Sequence, residues 1–392
     1  MRLGTISHIG VNDGVPVSAY VGLRIRTIKI SGAHPMQISP TEQAAPSRPQ
    51  SDRTRQVWID FARGIGVILV VYGHVLSGLI PPHLFPDGPL AQWMSYTLYT
   101  FHMPLFFFLA GLNVQHSLAR GVRPFLASKA WTIAYPYVLW SLIQGSVIML
   151  ISRNANIPIT TSDLAAIWYR PIAQFWFLYA LMICHVLAVL IPNRTIMIVV
   201  ALAGLIIFML LPIRPDLALT MHHLPFYVAG LYATHIVMTW QPHGRTGWTM
   251  LTVIAAAFAA AVAVGGQLSG FDANGIASLP ACILGITSVV LLCKLLNETR
   301  HRWLALVGVL SMTIYVLHIM AGSGTRIIMQ ILHVPPMPWV YLLADTAAGV
   351  ILPMIAHVVL QRLNLLAPLG LAPLPGRKPA AAPLVSQAAR SD

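Results

Sequence analysis

The first apolar block of the sequence contains three ionisable side chains that could take part in proton transfer. Asp60 and Arg63 are three residues apart, so on a helix they share a face and can pair. Arg63 and His74 are eleven residues apart, which places them on nearly the same face and roughly 16 Å apart along the axis. Ionisable groups inside a membrane span are costly and usually face a bundle interior or a cavity. A neutral imidazole in such a place can act as a general base.

These three residues also have structural interpretations. Asp60 and Arg63 can form an ion pair where the helix begins, or reach back to the membrane interface. His74 can be a polar core residue with satisfied hydrogen bonds, although it lies too far from the start of the helix to reach the interface there. The sequence leaves both interpretations open.

The second apolar block carries a histidine close to a proline. His102 lies near the middle of the block, and Pro104 frees a backbone carbonyl and favours a bend. His102 is therefore a second catalytic or orienting group, or else a side chain that bonds the freed backbone. The sequence favours neither.

The elements that position these residues must be membrane-spanning helices. Of 392 residues, 57% are hydrophobic and 9% are charged, whereas a soluble domain carries about 25% charged residues. Apolar blocks of about 17–24 residues match the bilayer core, where the backbone must bond to itself. We therefore predict an all-α transmembrane bundle of about ten spans. The predicted spans are residues 57–80, 90–112, 130–151, 174–191, 195–211, 224–240, 247–264, 276–296, 303–320 and 339–360.

The formal charge of +13 is explained by membrane topology. With the N-terminus inside, 19 of the 24 Lys and Arg residues fall in cytoplasmic segments and 4 fall outside. This bias predicts both termini in the cytoplasm and a multi-pass protein of the cell's inner (plasma) membrane. Nucleic acid is not an expected partner, because no zinc-finger, P-loop or basic-helix signature is present. Residues 1–54 and 363–392 are predicted to be disordered cytoplasmic extensions of a membrane domain at 55–362.

Five stretches in order resemble the acyltransferase-3 family of integral membrane acyltransferases, in the style of fucose 4-O-acetylases and exopolysaccharide acetyltransferases. They are the Arg63-x10-His74 pattern, FHMPLFFFLAG (101–111), FWFLYAL (175–181), LPFYVAG (224–230) and LSMTIYVLH (310–318). The resemblance covers about residues 55–360. It implies a ten-span bundle that moves an acyl group from acyl-CoA to a hydroxyl, often on a sugar. It also implies His74 as the catalytic histidine, Arg63 as the essential arginine and Asp60 as part of the same motif.

The resemblance implies a cytoplasmic donor, acetyl-CoA or another acyl-CoA. Arg120, Arg123 and Lys129 follow the second span on the predicted inner side and could hold the donor's phosphates. They could equally be ordinary positive-inside charge. His74 would take the proton of the acceptor hydroxyl, or form a short-lived acetyl-histidine.

The acceptor that we expect is a saccharide, polymeric or lipid-linked. His318 lies at a depth similar to that of His74, where it could bind the acceptor, stabilise an oxyanion or pack as a polar core residue. Trp176, with Tyr179 and Tyr169, could stack on sugar rings or belong to an interfacial aromatic belt. We predict no permanently bound cofactor and no metal site, because no His or Cys spacing matches a metal motif.

Two other functions fit the same intramembrane residues. A flippase or transporter of a lipid-linked saccharide would use them as substrate or proton-relay groups, and it would need no acyl-CoA. A membrane sensor or assembly partner would keep its function when His74 is replaced.

Overall fold

The computed structural model describes residues 56–150 and 159–372, and these residues form helices joined by turns, without a β-strand. In the first range the helices are α1 (Val57–Leu79), α2 (Pro89–Leu112), α3 (Val114–Leu118), α4 (Val122–Lys129), a π-helix (Ala130–Ala134) and α5 (Tyr135–Leu150). In the second range they are α6 (Thr161–Ala165), α7 (Trp176–Leu190), α8 (Arg194–Leu210), α9 (Pro215–Thr239), α10 (Gly244–Ser269), α11 (Leu279–Leu295), α12 (Arg302–Val309), α13 (Ser311–Ile331) and α14 (Pro338–Arg362).

Local sequence explains where several of these helices begin and end. Asn193 caps α8, because its side chain accepts a hydrogen bond from the backbone N–H of Ile196 at 3.0 Å. Thr160 and Asp163 form a capping box at the start of α6. α10 ends at Gly270, whose φ of 61° needs the left-handed conformation that glycine adopts easily.

The bundle is that of a multi-pass membrane protein, as the sequence predicts. Within the described residues seven helices are long and apolar enough to cross a membrane, and the bent pair α12–α13 raises that number to eight. The remaining apolar candidates are α8, which has only 17 residues, and α9, which the seven do not include. The count of ten spans and the cytoplasmic position of both termini therefore stay predictions.

One predicted span has the wrong bounds. The sequence suggested a single helix over 303–320, but the chain bends by 79° between α12 and α13. α12 packs across α1, and a Cβ atom placed on Gly308 would lie only 1.8 Å from the carbonyl oxygen of Asp60. This backbone contact holds α12 at an angle to the bundle, and α13 continues to Ile331.

Residues 363–372 pack on α5, although we expected the chain to be disordered from residue 363. The indole N–H of Trp140 donates to the carbonyl oxygen of Leu369 at 3.0 Å, and that of Trp131 donates to Ala372 at 3.1 Å. The expectation was wrong for this stretch, because indole N–H groups of the π-helix and of α5 find their acceptors in it. The predicted extensions at 1–54 and 373–392 lie outside the described residues.

Close glycine contacts fix α2 against α9. A Cβ atom on Gly230 would lie 2.1 Å from the carbonyl oxygen of Phe108, and one on Gly111 would lie 2.2 Å from that of Tyr227. Small residues let helix backbones approach each other in this way in membranes. The crossing holds α2, and therefore His102, in a defined position beside α9.

Candidate active site

Two histidines from distant parts of the chain face each other in the bundle. The ring of His74, near the end of α1, lies 5.2 Å from the ring of His318 on α13, centroid to centroid. His318 is buried, with 1% of its surface exposed, and His74 is partly buried. The sequence indicated a similar depth for both residues, and the fold brings them together.

The hydrogen bonding of His318 determines what this residue can do. Its Nδ1 lies 2.7 Å from the carbonyl oxygen of Tyr315. A carbonyl only accepts, so Nδ1 carries the hydrogen and Nε2 of the neutral ring presents a lone pair. That Nε2 atom is buried without a hydrogen-bond partner in the part of the chain that the structure describes. A neutral His318 therefore suits acceptance from a hydroxyl or an N–H better than stabilisation of an oxyanion.

His102 is buried on α2 and belongs to the same group of imidazoles. It lies close enough to His74 for their charges to interact. Its Nδ1 lies 2.7 Å from the carbonyl oxygen of Leu98 and must donate to it. The carbonyl that Pro104 frees is that of Thr100, four residues earlier. His102 thus bonds the backbone, but not at the freed carbonyl, and its Nε2 keeps a lone pair.

Trp176 lies inside the bundle, next to this group. Its ring centroid is 5.3 Å from that of His223 and 6.5 Å from that of Phe107. The indole therefore forms part of the wall around His223, which lies near His102. The sequence signal for His223 was only its place beside His222, which is too weak to assign a role.

Arg63 lines a cavity that runs between α1, α2, α7 and α13. The cavity has a volume of about 170 Å³. Arg63 Nη1 lies 3.9 Å from Asp60 Oδ1, so the predicted i,i+3 pair is present. The other walls of the cavity are mostly apolar and include Val67, Val70, Phe106, Phe177, Met312 and Tyr315. A mostly apolar cavity with a guanidinium in its wall suits a flexible ligand that has an anionic end.

The three cations predicted to act together differ in their exposure. Arg120 and Arg123 are exposed, whereas Lys129 is partly buried and close enough to Arg63 for their like charges to interact. Lys129 also lies over the ring of Phe125, 5.4 Å from its centroid. The π-helix begins directly after Lys129 and contributes Thr132 to the cavity wall. Such π-helical turns are frequent at functional sites.

The sequence reasoning missed a buried carboxyl group on α14. Asp345 is 1% exposed, and its Oδ1 has no hydrogen-bond partner among the described residues. The sequence did contain an indication of this residue, because an acidic residue in the middle of an apolar block is unusual in a membrane span.

Fold and site together define a multi-pass membrane protein with a cluster of buried histidines and an arginine-lined cavity. The chain belongs to the acyltransferase-3 family: the family model described as "Acyltransferase domain" matches residues 56–358. The resemblance read from the five sequence stretches is thereby confirmed.

Two curated relatives are both nodulation proteins named NolL. The chain is 30% identical over 203 residues to the protein of Mesorhizobium japonicum (strain LMG 29417 / CECT 9101 / MAFF 303099), covering 50% of this chain and 52% of the relative. It is 25% identical over 200 residues to that of Sinorhizobium fredii (strain NBRC 101917 / NGR234), covering 49% and 52%. The chain thus spans about half the length of the curated relatives it matches. No solved structure shows significant similarity to it.

Proposed function

We propose that the protein moves an acetyl or similar short acyl group from cytoplasmic acyl-CoA to a hydroxyl of a saccharide. The saccharide belongs to a surface polysaccharide or its lipid-linked precursor, and the reaction takes place in the inner membrane. The observation that carries the proposal is the pairing of His74 with His318, whose bare Nε2 needs a hydrogen-bond donor. Family membership supports the acyl chemistry, and the pairing supports a hydroxyl as the group that is acylated.

The cavity beside Arg63 supports the donor side of the proposal. Arg63 and Lys129 are like charges near enough to influence each other, and an anion bound by both would be favoured there. The phosphates of acyl-CoA supply such an anion, and guanidinium groups bind phosphate well. The pantetheine arm would then run along the apolar wall toward His74, which lies about three turns beyond Arg63 on α1. Asp60 holds Arg63 in place through their pair.

The reaction needs one proton to be moved from oxygen to sulfur. The acceptor hydroxyl attacks the thioester carbonyl carbon, so that a C–O bond forms and the C–S bond breaks. His74 takes the hydroxyl proton and returns it to the departing thiolate, which leaves His74 neutral. His318 accepts a hydrogen bond from His74 while that ring carries the proton, because its Nε2 presents a lone pair. His102 orients the pair from α2.

Inside-out membrane vesicles test the proposal directly. Vesicles that contain the protein and the cell's lipid-linked saccharides receive radiolabelled acetyl-CoA on the exposed cytoplasmic face. We expect the label in the saccharide as an alkali-labile ester, and no such label in vesicles without the protein. Transport of the saccharide without any ester would instead identify a flippase.

The proposed donor site predicts different effects on acyl-CoA binding for Lys129 and for the exposed Arg120 and Arg123. Lys129→Gln should raise the apparent KM for acyl-CoA about tenfold while kcat changes little, because the lost contact is already made in the ground state. Arg120→Gln and Arg123→Gln are matched controls with exposed charges, and each should have a small effect. Initial rates over a series of donor concentrations give both constants. Equal effects of all three variants would show that the loop as a whole attracts the donor.

A further inference from the structure

Asp345, whose carboxyl group is buried, lies on α14 close to the histidine pair. It is not among the residues that line the cavity beside Arg63, which we call the donor cavity. A Cβ atom on Gly322 would lie 3.4 Å from the carbonyl oxygen of Asp345. Gly322 follows His318 by four residues, so Asp345 lies about one turn beyond His318 toward the C-terminal end of α13. Arg63 lies in the opposite direction along α1. Asp345 and the donor cavity are therefore on opposite sides of the histidine pair.

A guanidinium group accompanies this carboxyl group. Arg326 Nη1 donates to the carbonyl oxygen of Gly78 at 2.5 Å, and Gly78 lies one turn beyond His74 on α1. The charges of Arg326 and Asp345 attract each other. Arg326 is partly exposed, whereas Asp345 is buried. Both residues thus lie beyond the two imidazoles, near enough for their charges to influence each other.

The unpartnered oxygen of Asp345 points to a ligand. A buried polar group without a hydrogen bond costs free energy, and a carboxyl group costs more than a neutral one. In the described chain Asp345 Oδ1 has no such bond, and neither has the hydroxyl of the next residue, Thr346. A ligand that donates hydrogen bonds would remove this cost.

We infer that Asp345 and Arg326 form a subsite for the acceptor, and that the subsite recognises a sugar ring with free neighbouring hydroxyls. This inference rests on the proposed function. A carboxylate accepts hydrogen bonds from two adjacent hydroxyls, and a guanidinium donates to hydroxyl or ring oxygens. A hydroxyl next to the one held by Asp345 would then face His74 and His318. The subsite would thereby determine which hydroxyl of the ring is acylated.

The test compares acceptors that differ by one hydroxyl. Purified protein in proteoliposomes is assayed with labelled acetyl-CoA and methyl glycosides of hexoses and 6-deoxyhexoses, together with their monodeoxy derivatives. For the wild-type protein we expect kcat/KM for at least one monodeoxy derivative to be lower than that for its parent by a factor of about ten or more. Asp345→Asn should raise the acceptor KM by a similar factor and abolish that discrimination, while the donor KM is unchanged.

Two further variants keep the result decisive. Arg326→Gln should also raise the acceptor KM, and it provides the answer if Asp345→Asn does not fold. Glu298→Gln alters an exposed acidic residue and should change nothing. The inference would be overturned if folded Asp345→Asn or Arg326→Gln protein kept the wild-type acceptor KM. It would also be overturned if such a variant still distinguished the monodeoxy acceptor from its parent. The proposed function would stand in either case. Absence of acyl transfer by the wild-type protein to any saccharide would count against the proposed function itself.

Discussion

Replacing His74 with Gln should reduce acyl transfer at least about a hundredfold, the usual lower bound for a positioned general base. Gln keeps a polar side chain of similar reach, but it cannot take the proton of the acceptor hydroxyl. The measurement is ester formation from labelled acetyl-CoA in membranes that hold matched amounts of each protein.

A second histidine variant controls for changes that do not concern the site. His235 is an exposed histidine on α9, and His235→Gln should transfer acyl groups at the wild-type rate. Thermal unfolding in detergent should be similar for the wild-type protein and both variants. Near-normal transfer by the His74 variant would remove the proposed base, and a transporter would then become the better explanation of the intramembrane charges.

Replacing Gly308 with Ala should disrupt the bundle around the donor cavity. The new methyl group would lie 1.8 Å from the carbonyl oxygen of Asp60, which is backbone and cannot rotate away. A Cβ atom on Gly64, the facing residue of α1, would lie only 2.4 Å from Leu304 O, so the crossing has no room on either side. We expect a loss of about 1–3 kcal/mol or more in stability, as for other overpacked sites, and loss of transfer because α1 carries Arg63.

A second glycine provides the matched control for this substitution. Gly324 lies on α13, and a Cβ atom there would meet no atom within 4 Å. Gly324→Ala should leave stability unchanged or slightly raised, because alanine is the better helix former. Melting temperature in detergent, together with the transfer rate, separates the two variants. Equal melting temperatures for both would show that α12 can move away from α1 at little cost.

The sequence by itself determined the class of fold and the main features of the first helix. Blocks of about 20 apolar residues must be helices in a membrane, since the backbone has no other hydrogen-bond partner there. Within one helix, spacing determines which residues share a face, so the Asp60–Arg63 pair and the alignment of Arg63 with His74 followed from counting. The ordered motifs also identified the family, and the family model confirms it.

Helix boundaries near breaks were less predictable. Residues 303–320 are apolar enough for one span, and the bend between α12 and α13 depends on how closely α12 approaches α1. Similarly, residues 363–372 were expected to belong to a solvated tail, because the sequence from Ala367 onward is rich in Pro and Ala. Their packing depends on indole N–H donors that lie far away in sequence, on the π-helix and α5.

Only the tertiary structure decided which distant residues meet. It paired His74 with His318, left Arg120 and Arg123 exposed while Lys129 is partly buried, and packed Trp176 against His223. It also placed Asp345 one turn from the histidine pair, a position that no local pattern indicates. The physical reason is that periodicity determines which side of its own helix a residue occupies. Which helix lies opposite depends on the close backbone contacts at glycines such as Gly308, which a single helix does not determine.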